Sequence, residues 1–598
     1  MPRKPNPRTL AVAFLLVSAA LSVVLLAVRN LYDDEIMSLD LVAGSVANIL
    51  RASAEGDVHP PGMYLLAHIA FRILPSFRWM NLLPALLVYT GLAFFLLQVT
   101  PLLARTRSQV CLLLLATLHP QFLMWSATFR WYGWWTGLAL IALTIALQPR
   151  DARPALGYPR AVTLGLLLAC LFYLNYITFV FAFALGAAML LRYRAQPWKR
   201  LLPRALLIVG VFLALIAPQL HIMLTVHIPD GRAQRYGVAI SLLRLLQSVC
   251  ASEAYLPWHP LAILADLLFG TLGIAGVAAL LRLRRSGLPA RHLQPSQEIQ
   301  PSQATPIPGA RPSDAVRSDG ALASIVLFGL LFFLLVAASG LGGKPRNGLL
   351  LIPALAPAVA LIVGTLPSRA QDAILIFLAL WSVVGAGHLL GRYGLTKSNM
   401  NDRPEQVVAF IERTVSQPPA QPPAQPPAQT AAQSGSGCAI VVTYDSALAF
   451  SLAQDNLPRV LIVSPFRGTA FEGPPFLPAG DCPRPHLYIV QSYLGGSVAW
   501  VRTLNAELQS STQYINGRQR ADSFGFDPDA SRKRSLSRIG GLGGDLASIA
   551  RLPDYRYVVT SGVMDRANLD TMRKRMTHFF SGGDIGAGQD PSQSDPSN

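Results

Sequence analysis

Long apolar stretches separated by short polar loops follow one another through the first 392 residues of the chain. Nine of these stretches approach the roughly 20 residues that an α-helix needs to cross a bilayer. They begin at Leu10, Leu82, Val110, Gly133, Ala205, Leu261, Ala321, Leu349 and Ala373. A longer stretch, Ala161 to Leu191, is interrupted at Asn175-Tyr176 and is predicted to form two short spans. The pattern predicts a polytopic α-helical membrane protein with about eleven transmembrane helices.

Basic residues in the loops predict the orientation of these helices. With eleven spans, Lys and Arg accumulate in alternate loops, which the positive-inside rule places in the cytoplasm. This predicts a cytoplasmic N-terminus, an uncleaved first span and an extracytoplasmic segment after Arg392. The basic residues of these loops are Arg105, Arg107, Arg150, Arg153, Arg160, Arg192, Arg194, Lys199, Arg200, Arg204, Arg282, Arg284, Arg285 and Arg291.

The first outer loop, residues 29–81, contains an apolar segment that is too short to cross the membrane. This segment, Pro61 to Leu74, follows a Pro-Pro pair that favours extended chain leading into a helix. We expect a juxtamembrane or re-entrant helix over 61–74. Counting it as a full span would invert every later loop and place the basic clusters outside.

The last 200 residues differ in composition from the membrane part. Residues 393–437 combine an amphipathic stretch, Pro404 to Val415, with a Gln-Pro-Pro-Ala repeat typical of a semi-rigid linker. Residues 438–580 contain short apolar strands and predict a small extracytoplasmic α/β domain, and residues 581–598 predict a disordered tail. The predicted strands are Cys438 to Tyr444, Arg459 to Ser464, His486 to Ser492 and Tyr555 to Thr560.

Composition supports a chain that lies in lipid. Hydrophobic residues make up 52% of it and charged residues 14%, against about 25% charged in a soluble domain. The net charge of +18 would suggest nucleic acid in a soluble protein. Here the basic residues lie in loops between spans, so we predict membrane lipids and no nucleic acid as partners. The C-terminal domain shows no phosphate-binding glycine motif, so no nucleotide is assigned.

Carboxylates follow the first span directly. Asp33, Asp34 and Glu35 are consecutive, and the run Asp57-Val58-His59-Pro60-Pro61 follows in the same loop. Adjacent carboxylates raise each other's proton affinity unless a cation offsets them. Such a cluster can act as a general base or hold a divalent ion, and the alternative is a solvated acidic loop.

Cations and aromatic residues mark other predicted outer loops. Arg130 and Tyr132 follow the third span, and Lys344 and Arg346 lie in a Gly-Gly-Lys-Pro-Arg loop. Arginine pairs with phosphate in a bidentate geometry. The outer loop His227 to Pro260 mixes basic and aromatic residues. Such a mixture suits an acceptor or lipid headgroup, and equally an interfacial aromatic belt.

In their order and sidedness these motifs resemble a GT-C membrane glycosyltransferase, of the group that includes protein O-mannosyltransferases and the lipid A aminoarabinose transferase (glycosyltransferase family 39-like). Three features carry the resemblance: Asp34-Glu35, the run Asp57 to Pro61, and Arg130 with Tyr132. The resemblance covers about the first 200 residues by motif and extends to Arg392 by the pattern of spans.

The resemblance implies transfer of a hexosyl or pentosyl group from a polyprenyl-phosphate-linked donor to a lipid, glycan or protein acceptor. The reaction would take place at the outer face of a bacterial inner membrane. Asp34 matches the family's catalytic carboxylate, with Glu35 beside it, and Asp33 leaves open which aspartate has the role. Asp57 and His59 are implied as further substrate-binding groups.

The resemblance also implies a binding site for the donor phosphate. Arg130, beside Tyr132, would hold the phosphate together with Lys344 and Arg346. The sequence leaves a divalent cation open, since some members of the superfamily use one and others do not. A transporter or flippase of lipid-linked sugars is the main alternative, and a non-catalytic envelope assembly protein is a second. Transporters usually carry ionisable groups near mid-membrane in repeated halves, a pattern that this sequence does not show.

Overall fold

The computed structural model divides the chain into two compact units, residues 1–29 with 44–396 and residues 30–43 with 397–598. Helices make up the first unit and a β-sheet lies in the second. The structure describes residues 6–29, 35, 38–54, 59–76, 78–126, 128–149, 156–225, 237–252, 254–255, 259–285, 313–341, 345–390, 407–409, 411–412, 439–443, 460–463, 486–491, 520–524 and 557–563.

The helices of the described chain follow its apolar stretches. They are α1 (Pro7–Val28), α2 (Leu39–Ala43), α3 (Val46–Ala54), α4 (Gly62–Ile73), α5 (Leu82–Val99), α6 (Thr106–Leu118), α7 (Pro120–Ser126), α8 (Trp131–Leu147), α9 (Tyr158–Leu174), α10 (Thr178–Arg192), α11 (Trp198–Thr225), α12 (Val238–Cys250), α13 (Pro260–Arg285), α14 (Ser313–Ala338), α15 (Leu351–Thr365) and α16 (Ser368–Leu390). Of these, α2 belongs to the second unit.

Each of the eleven predicted spans coincides with a helix or, for α6 and α7, with two consecutive helices. The predicted break near Asn175 is present: its side chain accepts from the Ile177 amide at 2.9 Å, and its carbonyl accepts from the Thr178 hydroxyl at 2.7 Å. By length and composition, six helical segments of the described chain are suited to cross a membrane. They are Pro7–Val28, Trp79–Leu102, Thr106–Ser126, Trp198–Thr225, Gly320–Ala338 and Ser368–Leu390.

The shorter apolar helices include the predicted segment that follows the Pro-Pro pair. Helix α4 has 12 residues, about 18 Å at 1.5 Å per residue, less than the roughly 30 Å of a bilayer core. It begins at Gly62, where a Cβ would collide with the backbone carbonyl of Tyr173. Glycine therefore allows α4 to lie against the end of α9.

The structure adds α12, which the sequence analysis did not predict. Its buried residues Ser241, Leu245 and Ser248 lie on one face, and the opposite face leaves Leu243 and Leu246 exposed. Because polar residues interrupt the helix, its sequence lacks the continuous apolar stretch that predicts a membrane span.

At one end of the helical unit, arginines join the helices. The Arg107 guanidinium donates to both Asp372 oxygens at 2.6 and 2.9 Å, and Arg105 donates to the Gly364 carbonyl. Arg192 donates to the carbonyls of Leu147 and Gln148 at 2.8 and 2.9 Å. We call this the arginine end. It brings together basic loops that the sequence analysis assigned to one side of the membrane.

The opposite end of the unit, which we call the aromatic end, follows from the direction of the chain. Helices α5 and α8 run in parallel, since Pro84 lies opposite Gly133 and Leu87 lies opposite Gly137. Their first turns therefore share the aromatic end. Helix α15 ends and α16 begins at the arginine end, so the start of α15 and the end of α16 lie at the aromatic end as well.

The second unit contains a five-stranded sheet in the order β2-β1-β3-β5-β4. Strand β1 pairs in parallel with β2 and β3, and β5 pairs antiparallel with β3 and β4. Four strands coincide with predicted ones, and β4 is additional, because its sequence Arg-Ala-Asp-Ser-Phe contains no apolar run. The strands are β1 (Ala439–Thr443), β2 (Val460–Val463), β3 (His486–Gln491), β4 (Arg520–Phe524) and β5 (Tyr557–Val563).

The segments between the strands, the predicted linker repeat and the predicted tail lie outside the described residues. The α/β character of the second unit and its boundaries therefore stay predictions.

Candidate functional site

An aromatic segment at the aromatic end connects α7 to α8. Arg130 is the residue before α8 and has extended backbone, with φ −65° and ψ 162°. The Thr128 hydroxyl donates to the Trp125 carbonyl at 3.2 Å, and the Trp134 indole donates to the Phe129 carbonyl at 3.0 Å. These bonds fix the connection from both sides and so determine where Arg130 lies.

Arg346 reaches this connection from the turn that precedes α15. Its guanidinium carbon lies 5.7 Å from the ring centre of Trp125 and 5.3 Å from that of Tyr132. The two rings meet edge to face, with centroids 5.6 Å apart. Arg346 is only 6% exposed, and a desolvated cation–π contact is worth about 2 kcal/mol. The rings therefore hold a buried positive charge in a defined position.

Further aromatic contacts support the rings beneath Arg346. The Trp131 ring lies 4.5 Å from Tyr132 and 6.1 Å from Trp135. The Trp135 indole donates to the Thr178 hydroxyl at 2.9 Å and its ring stacks on Phe332 at 6.0 Å. The start of α8 is thereby joined to α10 and α14, which limits the movement of Tyr132.

A buried group of hydroxyls connects α7 to the first helix. The Tyr89 hydroxyl lies 2.8 Å from the Ser18 hydroxyl and 2.7 Å from that of Ser22. Ser18 also donates to the Thr117 carbonyl at 2.5 Å, and Ser22 lies 3.5 Å from the Ser126 hydroxyl. This network fixes α1, which leads into the acidic segment, against the helix that carries Trp125.

Of the predicted site residues, the structure brings Tyr132 and Arg346 into contact and places Arg130 two residues before Tyr132. Arg130 is 5% exposed. His59 lies in the bend before α4, near the end of α9. The predicted phosphate site thus has two buried arginines at one end of the helices. Trp125 was not predicted, although it directly precedes the aromatic run that was singled out.

Most acidic residues of the predicted site lie outside the part of the chain that the structure describes. Asp33, Asp34, Asp57 and Lys344 lie outside the described residues. Glu35 belongs to the second unit, and its side chain is fully buried there. The catalytic assignment of the carboxylates therefore stays a prediction. In the part of the chain that the structure describes, no three His, Cys, Asp or Glu side chains form a group that could hold a metal ion.

Two buried arginines at the aromatic end favour an anion: Arg130 directly precedes α8, and Arg346 lies in the turn before α15 and contacts Tyr132 in α8. Arginine stays charged inside proteins, and its fork of N–H groups fits two phosphate oxygens. The helix dipole at the start of α8 adds positive electrostatic potential beside Arg130. Chemically, the arrangement around Arg130 and Arg346 is suited to hold a phosphate group at the end of a helical bundle.

Comparison with known proteins identifies this architecture. No protein-family profile and no curated sequence matches the chain. The crystal structure of ArnT from Cupriavidus metallidurans in the apo state is similar over 94% of this chain and 98% of that one, with 12% identity and a TM-score of 0.51. The structure of ArnT from the same organism bound to undecaprenyl phosphate matches over 92% and 97%, with 12% identity and a TM-score of 0.50. The chain thus has an ArnT-like fold.

Proposed function

We propose that this protein is a membrane glycosyltransferase that moves a sugar from a polyprenyl-phosphate donor to an acceptor hydroxyl. The observation that carries the proposal is the buried Arg346 guanidinium over the rings of Trp125 and Tyr132, with Arg130 buried directly before the helix that carries Tyr132, in a chain with an ArnT-like fold. The structure of that neighbour with undecaprenyl phosphate supports a lipid phosphate as the ligand class.

In this proposal Arg130, Arg346 and Lys344 bind the donor phosphate. The glycosidic bond between the sugar and the phosphate oxygen breaks during transfer, and negative charge increases on the departing lipid phosphate. Guanidinium groups that are already fixed at that position stabilise this charge without having to reorganise. The stacking of Arg346 on two rings provides this fixed position.

The carboxylates supply the base. Asp34, with Asp33 and Glu35 beside it, takes the proton of the acceptor hydroxyl while the acceptor oxygen bonds to the anomeric carbon. The products are a new glycoside, a protonated carboxyl group and a free polyprenyl phosphate. A hydroxyl is a poor nucleophile, and general base catalysis contributes typically 10²–10⁴-fold. Asp57 and His59 complete the substrate-binding set.

We further propose that the protein lies in a bacterial inner membrane as a multi-pass protein. The arginine end would face the cytoplasm and the aromatic end the outer side, because arginines accumulate at cytoplasmic loops. The charge pattern of the loops likewise assigns the C-terminal domain to the extracytoplasmic side. Donors with a hexose or a pentose and acceptors that are lipids, glycans or proteins all fit this orientation.

Sugar transfer in membranes tests the proposal. Membranes with matched amounts of the wild type, Asp34→Asn and Arg369→Gln are incubated with polyprenyl phosphates that carry different radiolabelled sugars. Arg369 is exposed at the arginine end, so this variant controls for a charge-neutralising substitution outside the proposed site.

We expect one donor to support transfer in the wild type and in Arg369→Gln but not in Asp34→Asn. Equal transfer by Asp34→Asn would contradict the base assignment and direct attention to Asp33 or Asp57. Movement of intact lipid-linked sugar across the membrane without transfer would instead favour a flippase.

A further inference from the structure

Two histidines face each other at the aromatic end, apart from the site of Arg130 and Arg346. His259 directly precedes α13, and His388 lies in the last turn of α16. Their ring centres are 5.0 Å apart and the rings are nearly perpendicular, at 85°. The Tyr255 ring lies 5.1 Å from each of them. Both histidines are half-buried, so the pair can be reached from outside the bundle.

Backbone hydrogen bonds determine which nitrogen of each ring carries a proton. Nδ1 of His388 lies 3.2 Å from the Ala254 carbonyl. Because a carbonyl only accepts, this Nδ1 carries the hydrogen, and in the neutral ring of His388 the lone pair is on Nε2. His259 is the reverse: its Nδ1 accepts from the Leu261 amide at 3.2 Å. In the neutral ring of His259, Nε2 therefore carries the hydrogen.

His259 is held in the neutral form. Burial lowers its pKa below the ordinary histidine value, and the neighbouring His388 lowers it further. With both rings neutral, the two hydrogen bonds leave one N–H donor and one nitrogen acceptor on adjacent rings. No described residue is hydrogen-bonded to either Nε2.

A rigid aromatic layer supports the pair. Tyr255 is fully buried, its hydroxyl donates to the Trp381 carbonyl, and its ring stacks on Trp381 at 6.2 Å and 12°. Burial raises the pKa of the Tyr255 phenol, which keeps this donor protonated. A Cβ at Gly385 would collide with Pro120 and crowd the Tyr255 ring. Close packing thus fixes the Tyr255 ring, which both histidines contact.

We propose that His259 and His388 form a binding site for a sugar hydroxyl, with His259 Nε2 donating and His388 Nε2 accepting. A hydroxyl both donates and accepts one bond, as do two neighbouring hydroxyls of a sugar ring, so its chemistry complements the pair. A metal ion does not fit, because binding it through Nε2 of His259 would move the ring hydrogen to Nδ1, which accepts from the Leu261 amide. This inference rests on the proposed function, where it assigns the site to a hydroxyl-bearing sugar acceptor.

Helix α12 connects this pair of histidines to the turn that carries Arg346. The Leu245 side chain packs against Gly348 in the turn that carries Arg346. Four residues later, the Val249 carbonyl lies 2.9 Å from Nε2 of His119, and the His119 ring packs on Trp381 at 4.7 Å. Donor phosphate and acceptor sugar would therefore bind near successive turns of one short helix.

The structure offers substitutions that remove only the outward nitrogens. Asparagine in place of His259 keeps an acceptor for the Leu261 amide and is a favoured residue before a helix. Asparagine in place of His388 keeps a donor for the Ala254 carbonyl. His221→Asn is the matched control, because His221 is exposed on α11.

Saturation-transfer NMR on the full chain in nanodiscs measures binding of the methyl glycosides of glucose, galactose, mannose and arabinose. We expect a saturation-transfer signal from at least one glycoside with the wild type and His221→Asn. The affinity for that glycoside should fall about fivefold in His259→Asn and His388→Asn, near the value of one hydrogen bond. Equal signals with all four proteins, or no signal from any glycoside with the wild type, would overturn the proposal.

Undecaprenyl phosphate binding, measured on the same proteins, separates this proposal from the proposed function. Both histidine variants should bind the lipid phosphate as the wild type does. Loss of glycoside binding together with normal lipid binding supports the acceptor site. A wild type that binds glycosides but no lipid phosphate would leave the sugar site standing and contradict the donor assignment instead.

Discussion

Replacing Arg346 should weaken binding of the lipid phosphate in two separable steps. Arg346→Lys keeps the positive charge but loses the planar group that lies over Trp125 and Tyr132. Arg346→Gln keeps a hydrogen-bond donor but removes the charge. Comparing the two variants therefore separates the contribution of ring stacking from that of charge.

The expected magnitudes follow from the burial of the site. A desolvated cation–π contact is worth about 2 kcal/mol, of which lysine, with its compact ammonium, should lose the larger part. We expect Arg346→Lys to raise the dissociation constant about tenfold. A charge pair about 4 Å apart is worth about 4 kcal/mol at an effective dielectric constant near 20. Because water solvates the phosphate once the charge is removed, only part of this energy is lost, so Arg346→Gln should raise the dissociation constant by about 100-fold.

The assay is equilibrium binding of undecaprenyl phosphate to the purified full chain in nanodiscs, followed by donor KM and kcat once a donor is known. Arg369→Gln is the matched control, since this arginine is exposed at the other end of the helices, and it should bind within about twofold of the wild type. Thermal unfolding of each variant checks that the fold is kept.

The reasoning would be refuted if Arg346→Gln bound the lipid phosphate as tightly as the wild type. It would also fail if Arg369→Gln and Arg346→Gln lost affinity equally, because the effect would then come from net charge. A loss in Arg346→Gln with no loss in Arg346→Lys would retain the charge and refute the part assigned to the rings.

Three further predictions concern stability, measured as the midpoint of thermal unfolding in detergent. Gly137→Leu should lower the midpoint, because a Cβ there would collide with the backbone of Leu87, and overpacking costs about 1–3 kcal/mol. Tyr89→Phe should lower the midpoint as well, with a loss of about 1–2 kcal/mol in the free energy of unfolding, since it removes the hydroxyl that the α1 serines share. Arg107→Gln should cost under about 1 kcal/mol, because the ion pair with Asp372 is half-exposed.

Matched variants make these three predictions specific. Gly186→Leu should leave the midpoint unchanged, because a side chain there meets open space, and an equal loss would contradict the argument for Gly137. A Tyr89→Phe protein as stable as the wild type would show that the serines find other partners. If Asp372→Asn added a further loss in the Arg107→Gln background, the two residues would not act as a pair.

The sequence determined the helices because helix formation depends on residues that are close together in the chain. In a bilayer an apolar stretch of about 20 residues satisfies its backbone hydrogen bonds only within itself, as a helix. The break at Asn175 was equally visible, since a polar side chain can bond to the amides of the following turn. Strand β4 and helix α12 were missed because their polar residues hide the apolar pattern.

The site depended on contacts that no local pattern reveals. Arg130 and Tyr132 stood out as a cation among aromatic residues, but their relation to Arg346 required α15 to return to the end at which α8 begins. The tautomer of His388 is likewise set by the Ala254 carbonyl, which is far away in sequence, whereas that of His259 follows from the nearby Leu261 amide. Hydrophobicity along the chain therefore determined which segments form the apolar helices. Helix packing alone decided which polar side chains meet at their ends, because those contacts join residues far apart in sequence.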